Sequence, residues 1–265
     1  MANNVSDQEF SRPHKHIRLP GKRIHIFREV SSTNNVARQM AMAGAPEGTV
    51  VMSLFQSGGR GRMQRQWVCP PGQGLLLSMV LRPDIKIESI PQLTLLGAVV
   101  TAETIYLTTG CTAGIKWPND ILINGKKVCG ILAEGSLSRR KVEYVIMGFG
   151  ININLDPAQL PADCRDTSTS LNLETGRRVS RMEFLKRFMI SWDEHYQNYA
   201  QFGQPYVRSQ WIKKNITLGR QVTIKKDQDV IQGVAEDISD KGGLVVRRLD
   251  GTKQEFLAED ISLRG

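Results

Sequence analysis

Cysteine is sparse and badly placed for metal. Cys69, Cys111, Cys129 and Cys164 are scattered through 265 residues. They form no CxxC pair and have no histidine nearby, which argues against a structural zinc site and leaves no residue assigned to a metal. Free thiols of this kind fit a reducing cytoplasm, the compartment expected here. Met1 to Pro13 is polar and lacks the apolar run of a secretory signal. The longest apolar stretch, Leu93 to Leu107, carries Glu103 and threonines, which argues against a membrane span. There is no GxxxxGK[ST] phosphate loop, and Gly148 and Gly150 lack the third glycine of a dinucleotide fingerprint. No GxSxG elbow and no histidine-bearing metalloprotease helix occur, so nucleophilic catalysis by Ser or Cys has no support.

What is present is ordinary for a soluble globular protein: 40% hydrophobic and 23% charged residues. The length suits one large core plus a small second domain. The net charge of +9 suits nucleotides, nucleic acid or an acidic protein domain, without choosing among them.

Residues 1 to 20 read as a loosely attached polar tail with Pro13 and Pro20 as breakers. Residues 21 to 212 read as the main domain. Ile24 to Val30 predicts a strand, and Ser31 to Asn34 supplies N-cap chemistry for a helix. A plain helix cap is the favoured reading of this quartet; as hydroxyls and an amide at a strand-to-helix junction, these residues could also bind a small polar ligand. Ser89 to Thr109 predicts a helix with Leu93, Leu96, Gly97, Val100, Thr104 and Leu107 on one face, Gly97 marking a close contact. Asn124-Gly125 predicts a hairpin between strands, and further strands to Asn154 indicate a mixed or antiparallel sheet. Ser180 to Phe202 predicts a helix with a Ser180/Glu183 capping box. Residues 213 to 265 change to short strands, a small barrel expected as a separate domain.

Chemistry concentrates in Gln56 to Trp67. Gly58, Gly59 and Gly61 soften this stretch and let backbone approach a ligand, while Arg60, Arg62 and Arg65 carry permanent charge on it. Trp67 anchors its end, and the apolar runs on either side read as core strands. Such a loop is built to close over an anion, or else is a generic basic loop. Lys116 and Lys127 on hairpin strands, with Asn119, Asp120 and Asn152 at strand ends, could converge with it. Gly130 within a strand suggests close approach of a ligand or another backbone. Cations meeting in one pocket would neutralise two anions that must react, such as a carboxylate and the α-phosphate of ATP, by positioning and electrostatics. Magnesium on those phosphates is expected, within reach of Asn119 or Asp120.

Five blocks in order carry a resemblance: Ser32-Thr33-Asn34; Gln56 with Gly59 to Trp67; Lys116-Trp117-Pro118-Asn119-Asp120; Lys127 to Leu132; and Gly150-Ile151-Asn152. Across residues 24 to 155 they resemble the bacterial biotin protein ligases, and the C-terminal strands look like that family's SH3-like domain. The resemblance implies an α/β catalytic domain related to the class II aminoacyl-tRNA synthetase fold. It implies that biotin and MgATP give biotinyl-5′-AMP, and that biotin then passes to a lysine of a biotin carboxyl carrier domain. It places Ser32, Thr33, Asn34, Gln56 and the Arg60-Gly61-Arg62 backbone at biotin. Arg62 and Lys127 fall at the reacting carboxylate and phosphoryl group, Lys127 with the largest rate effect. Arg65, Trp67, Lys116, Asn119, Asp120 and Asn152 fall at the adenylate. Met63-Gln64 departs from the Arg-Gly of many members and predicts a stiffer, less cationic loop. No winged helix precedes the first core element, so a ligase that is not a repressor is expected, with no specific DNA binding and a homodimer possible. The chain has no Met-Lys-Met acceptor and is not itself a carrier. Lipoate and octanoate ligases or transferases of the same fold are the second reading. A nucleic-acid-binding module is the third, disfavoured because aromatics are only 6% of the chain and mostly fall in expected core.

Overall fold

The computed structural model describes residues 15–19, 22–138, 141–226, 229–257 and 260–263. Its centre is an eight-stranded sheet: β1 Lys15–Leu19, β2 Lys22–Val30, β3 Thr49–Gln56, β4 Gly74–Leu81, β5 Gly114–Lys116, β6 Asp120–Ile123, β7 Lys126–Ser138 and β8 Lys141–Asn152. The order is β1-β2-β3-β4-β8-β7-β6-β5. β2 and β3 run parallel, joined through helix α1 (Thr33–Met42); the other pairs are antiparallel, so the sheet is mixed as expected. Asn124 and Gly125 both take positive φ, 50° and 77°, in the two-residue turn between β6 and β7.

Alternation along the strands sorts apolar side chains onto two faces. Val50, Met52, Met79, Leu81 and Met147 join the main core, covered by α2 (Ile90–Thr109) and α5 (Arg181–Phe202). Val51, Val80 and Ile146 point the other way, beneath α1 with Val36, Ala37 and Ala41. Two short helices, α3 (Ala162–Arg165) and α4 (Leu171–Thr175), follow β8, and α6 (Gln204–Ile212) follows α5.

Helix α2 departs from the expected single apolar face. It is buried nearly all round, from Leu93 through Ile105, while Leu107 is exposed. It runs between the sheet and α5/α6, so no side of its middle faces water. Gly97 is the close contact anticipated: a Cβ there would lie 2.9 Å from the Phe149 ring. Glu103, which argued against a membrane span, lies 3.2 Å from His195 Nε2 inside this packing. Ser180 Oγ accepts from Glu183 N–H at the start of α5, but the Glu183 carboxylate pairs with Arg187, so only half of the capping box forms.

One boundary differs from the sequence reading. The stretch read as a tail to residue 20 contains β1, an edge strand paired with β2; residues 1–14 lie outside the described residues. The C-terminal strands, β9 Gln221–Lys226, β10 Asp229–Ile238, β11 Leu244–Arg248, β12 Lys253–Phe256 and β13 Asp260–Leu263, form a five-stranded antiparallel sheet. Its buried residues, Val222, Ile224, Ala235, Ile238, Leu244, Val246, Phe256 and Ile261, belong to the same continuous core as the main sheet. Trp117 binds the two parts: its backbone N–H donates to Thr217 Oγ1 (2.9 Å) and its indole N–H to the Gly242 carbonyl (3.1 Å).

Candidate active site

The site opens on the α1 face of the sheet. On β8, Ile146, Gly148 and Gly150 share that face, and on β7 so do Glu134, Leu132 and Gly130. Side chains shrink to hydrogen where the strands pass beyond α1, leaving a hollow paved by glycine. Each glycine is required. A Cβ at Gly148 would strike the Asn34 amide, and one at Gly150 the Trp67 indole. At Gly130 it would lie 2.9 Å from Trp67 and 3.2 Å from Lys127 Nζ, so Gly130 makes room for side chains of this chain itself.

One wall is the N-terminus of α1. Ser32 is its N-cap, yet its hydroxyl makes no capping bond. Gln56, at the end of β3, caps the helix in its stead, with Oε1 accepting from Thr33 N–H (2.7 Å) and from the Thr33 hydroxyl (2.9 Å). Ser32 is thereby left lining the hollow, 3% exposed. Behind it, Ser78 Oγ lies 2.7 Å from Thr33 Oγ1 and 2.6 Å from Asn34 Oδ1. The Asn34 amide donates to Glu134 Oε2 (2.7 Å). Asn34 is thus committed to protein partners on both sides of its amide and orients this wall.

The lid is the Gln56–Trp67 loop, folded back as a narrow hairpin. Trp67 N–H donates to the Gly59 carbonyl (2.9 Å), and Gly61 N–H to that of Arg65 (2.7 Å). Met63 (φ 51°) and Gln64 (φ 58°) at its tip are left-handed, a conformation that costs about 1 kcal/mol or more for a non-glycine residue. Arg60 donates to Asn35 Oδ1 (2.7 Å) and Arg62 to Asn119 Oδ1 (3.1 Å). Asn119 also donates to the Ile131 carbonyl (2.8 Å), which fixes the amide that receives Arg62.

Lys127 reaches the hollow through an irregularity. β6 pairs Ile121 with Cys129 but Leu122 with Lys127, so Val128 is an extra residue bulged out of the ladder. Val128 and Cys129 both enter the core. Without the bulge, alternation would turn Lys127 to the face of Cys129; with it, Lys127 joins Gly130. Its Nζ is 2.5 Å from Asp120 Oδ1 and 5.5 Å from the centre of the Trp67 ring.

Together these elements enclose a cavity of about 830 Å³, within the usual range for small-molecule sites. All fourteen residues singled out in the sequence line it: Ser32, Thr33, Asn34, Gln56, Arg60, Gly61, Arg62, Arg65, Trp67, Lys116, Asn119, Asp120, Lys127 and Asn152. Five are cationic, and Asp120 and Asp163 are the carboxylates on the wall. Among the described residues on the wall, three buried polar atoms have no hydrogen-bond partner in the protein: Asp120 Oδ1, which meets Lys127 as an ion pair, and Trp67 Nε1 and Asn152 Oδ1, a donor and an acceptor left unused. Burial pushes the thiol of Cys129, next to Gly130, well above its ordinary range. Among the described residues no cluster of three His, Cys, Asp or Glu is placed to hold a metal.

The sequence reading missed the wall from Leu160 to Ser168, and Ser78 and Glu134, which hold Thr33 and Asn34 from behind the lining. A serine in an apolar strand and a glutamate in a β-hairpin carry no motif. The wall joins the site by long-range pairing, Lys127 N–H donating to the Thr167 carbonyl and Thr169 N–H to that of Lys127.

Residues 26–152 match the model of the biotin/lipoate A/B protein ligase family, and residues 217–264 that of the biotin protein ligase C-terminal domain. A bifunctional ligase/repressor BirA of Bacillus subtilis is 37% identical over 235 residues, 88% of this chain and 72% of its own. The chain belongs to the biotin/lipoate A/B protein ligase family. A second relative in the family, the biotin–[acetyl-CoA-carboxylase] ligase of Paracoccus denitrificans, is 32% identical over 225 residues, 84% of this chain and 93% of its own. Among solved structures, the biotin protein ligase of Aquifex aeolicus in complex with biotin and ATP superposes with a TM-score of 0.77 at 27% identity, covering 91% of this chain and 99% of that one. The mixed sheet and small C-terminal β-domain are those of the family, in agreement with the resemblance seen in the sequence.

Proposed function

We propose that this chain joins biotin to protein in two steps, using ATP. The biotin carboxylate attacks the α-phosphorus of ATP, the bond to the β-phosphate oxygen breaks, and pyrophosphate leaves. A carrier lysine amine then attacks the acyl carbon of biotinyl-5′-AMP, forms the amide and releases AMP. The observation that carries this reading is the convergence of Arg62 and Lys127, from two separate elements, on the Asn119–Asp120 turn of a cavity whose other wall is hydroxyl and amide.

Each residue's role follows from its chemistry. Ser32, Thr33 and Gln56 offer hydroxyl and amide groups matched to a ureido ring, and the lid backbone at Arg60-Gly61-Arg62 closes over it. Lys127 and Arg62 neutralise the carboxylate and α-phosphate as they approach and then the charge building on the pentavalent phosphorus. The unfilled Asn152 Oδ1 suits the exocyclic amine of adenine, and Trp67 offers a face for its ring. Lys116 and Arg65 add positive charge for the phosphate chain. ATP enters as its magnesium complex, with Asp120 the nearest carboxylate to Lys127. The excess of 35 basic over 26 acidic residues suits an acidic carrier domain as acyl acceptor.

The test is ATP–pyrophosphate exchange on the purified chain. The expected result is exchange that depends on biotin, followed by the gain of one biotinyl group on a carrier-domain lysine, read by mass spectrometry. Exchange with lipoate or octanoate in place of biotin overturns the substrate.

A further inference from the structure

Glu134 lies outside the cavity wall yet touches both of its halves. Its Oε2 accepts from the Asn34 amide at 2.7 Å, and through Asn34 it joins the chain Asn34–Ser78–Thr33–Gln56. Its Oε1 faces two guanidinium groups, Arg38 at 2.8 Å from α1 and Arg60 at 3.5 Å from the lid. The same Arg60 nitrogen donates to Asn35 Oδ1 at 2.7 Å. The Glu134 side chain is 25% exposed and that of Arg60 34%, so the contact is partly shielded from solvent.

We propose that Glu134 is a positioning residue: with Asn35 it latches the lid through the Arg60 side chain and in the same stroke orients the Asn34–Ser78–Thr33 wall. The arrangement divides the work of the lid arginines. Arg60 is the strut that holds the closed loop down on α1 and β7. Arg62 instead faces the reacting groups, with Asn119 behind it. A ligand that orders the wall and a lid that closes over it then share one carboxylate, so each favours the other. The inference rests on the ligase reading for its consequence but not for its geometry.

Glu134→Gln keeps the shape and removes the charge. Two measurements on the chain of 265 residues decide the matter. The first needs no substrate: trypsin nicks the lid after its arginines, and Glu134→Gln is expected to speed cleavage at Arg62 and Arg65 about fivefold, while Arg38→Ala changes it less than about twofold. The second uses preformed biotinyl-5′-AMP: the variant is expected to shorten its retention about fivefold and raise the KM for biotin by a similar factor, with kcat of exchange within about twofold. Adding Glu134→Gln to Arg60→Ala is expected to speed lid cleavage no further, since the latch reaches the lid through Arg60. Tryptic cleavage and adenylate retention like those of the unaltered chain, or effects of the two substitutions that multiply, overturn the latch. A fall in melting temperature with no change in lid cleavage also overturns it. If the unaltered chain forms no adenylate, the ligase reading fails and lid cleavage alone judges the latch.

Discussion

Two cavities of nearly equal size meet at Lys116, Leu122 and Gly125. One is the site described above, about 830 Å³; the other, about 800 Å³, lies between β5 and the start of the C-terminal sheet. Both are basic, the second through Lys116, Lys213, Lys214 and Arg220. The difference lies in how their polar groups are used. In the second, Lys213 and Arg220 are exposed, and the Asn215 amide is fully engaged, donating to the Ile212 carbonyl and accepting from Thr217 and Leu218 N–H. Among the described residues lining it, no buried polar side-chain atom lacks a partner. The first cavity holds the unpartnered Trp67 and Asn152 atoms and a floor of glycines. Volume and positive charge therefore do not separate the two cavities; unfilled hydrogen-bonding capacity does.

The sharpest way to break this comparison is to remove one lysine from each cavity. Lys127→Ala is expected to lower biotin-dependent exchange by about 10³-fold or more, since on the proposed reading it deletes the cation that meets developing charge. Lys213→Ala should change exchange less than about threefold, because an exposed lysine is screened. Equal losses in the two variants would erase the distinction.

Next in size is a pair of glycine substitutions. Gly150→Ala displaces the Trp67 indole and is expected to raise the KM for ATP about tenfold with little loss of melting temperature. Gly114→Ala meets Ile216 instead and should cost about 1–3 kcal/mol of stability by overpacking, with KM unchanged. Thermal melts beside exchange kinetics separate the two. Arg62→Gly follows: on the proposed reading it is expected to release the adenylate several-fold faster and label bystander proteins, because the lid loses a cation and its hydrogen bond to Asn119. Retention equal to the unaltered chain would remove the closing role of Arg62.

The smallest effect is in thiol reactivity. Burial pushes the Cys69 thiol up to about 11, so it stays protonated and inert to alkylation at pH 8, reacting only as the pH nears that value. Cys164 lines the first cavity, and biotin with ATP is expected to slow its alkylation about two- to fivefold, while Cys111, outside both cavities, is unaffected. Peptide mass spectrometry reads all three, and protection of Cys111 instead of Cys164 would put the ligand in the wrong place.

Much of the fold was legible because its signals are local. Asn124-Gly125 dictates its turn by tolerating positive φ, and the unbroken apolar runs of β3 and β4 mark them as buried strands, though not which residue faces which side. Helix α2 was legible as a helix but not as to its surroundings. Its exposed Leu107 and all-round burial depend on α5 and α6 closing over it from about a hundred residues away. Helix α6 itself escaped notice, nine residues with only Val207 and Trp211 buried. In the site, charge and glycine content marked the lid and the lysines. Ser78 and Glu134 were invisible because each acts through hydrogen bonds to residues far along the chain, Ser78 to Thr33 and Glu134 to Asn34.

The amino-acid sequence by itself settled the inventory: a glycine-rich cationic lid, hydroxyls at a helix start, lysines on a hairpin, and strands whose period of two demands a two-faced sheet. Those follow from side-chain chemistry and from backbone preferences that reach only a few residues. Tertiary structure alone decided which way the inventory points. Lys127 faces the cavity because one bulged residue at Val128 reverses the alternation, and Ser32 is left to the cavity because Gln56, from another strand, caps the helix in its place. Both outcomes are set by pairing between distant segments, where a shift of one residue turns a side chain from core to ligand.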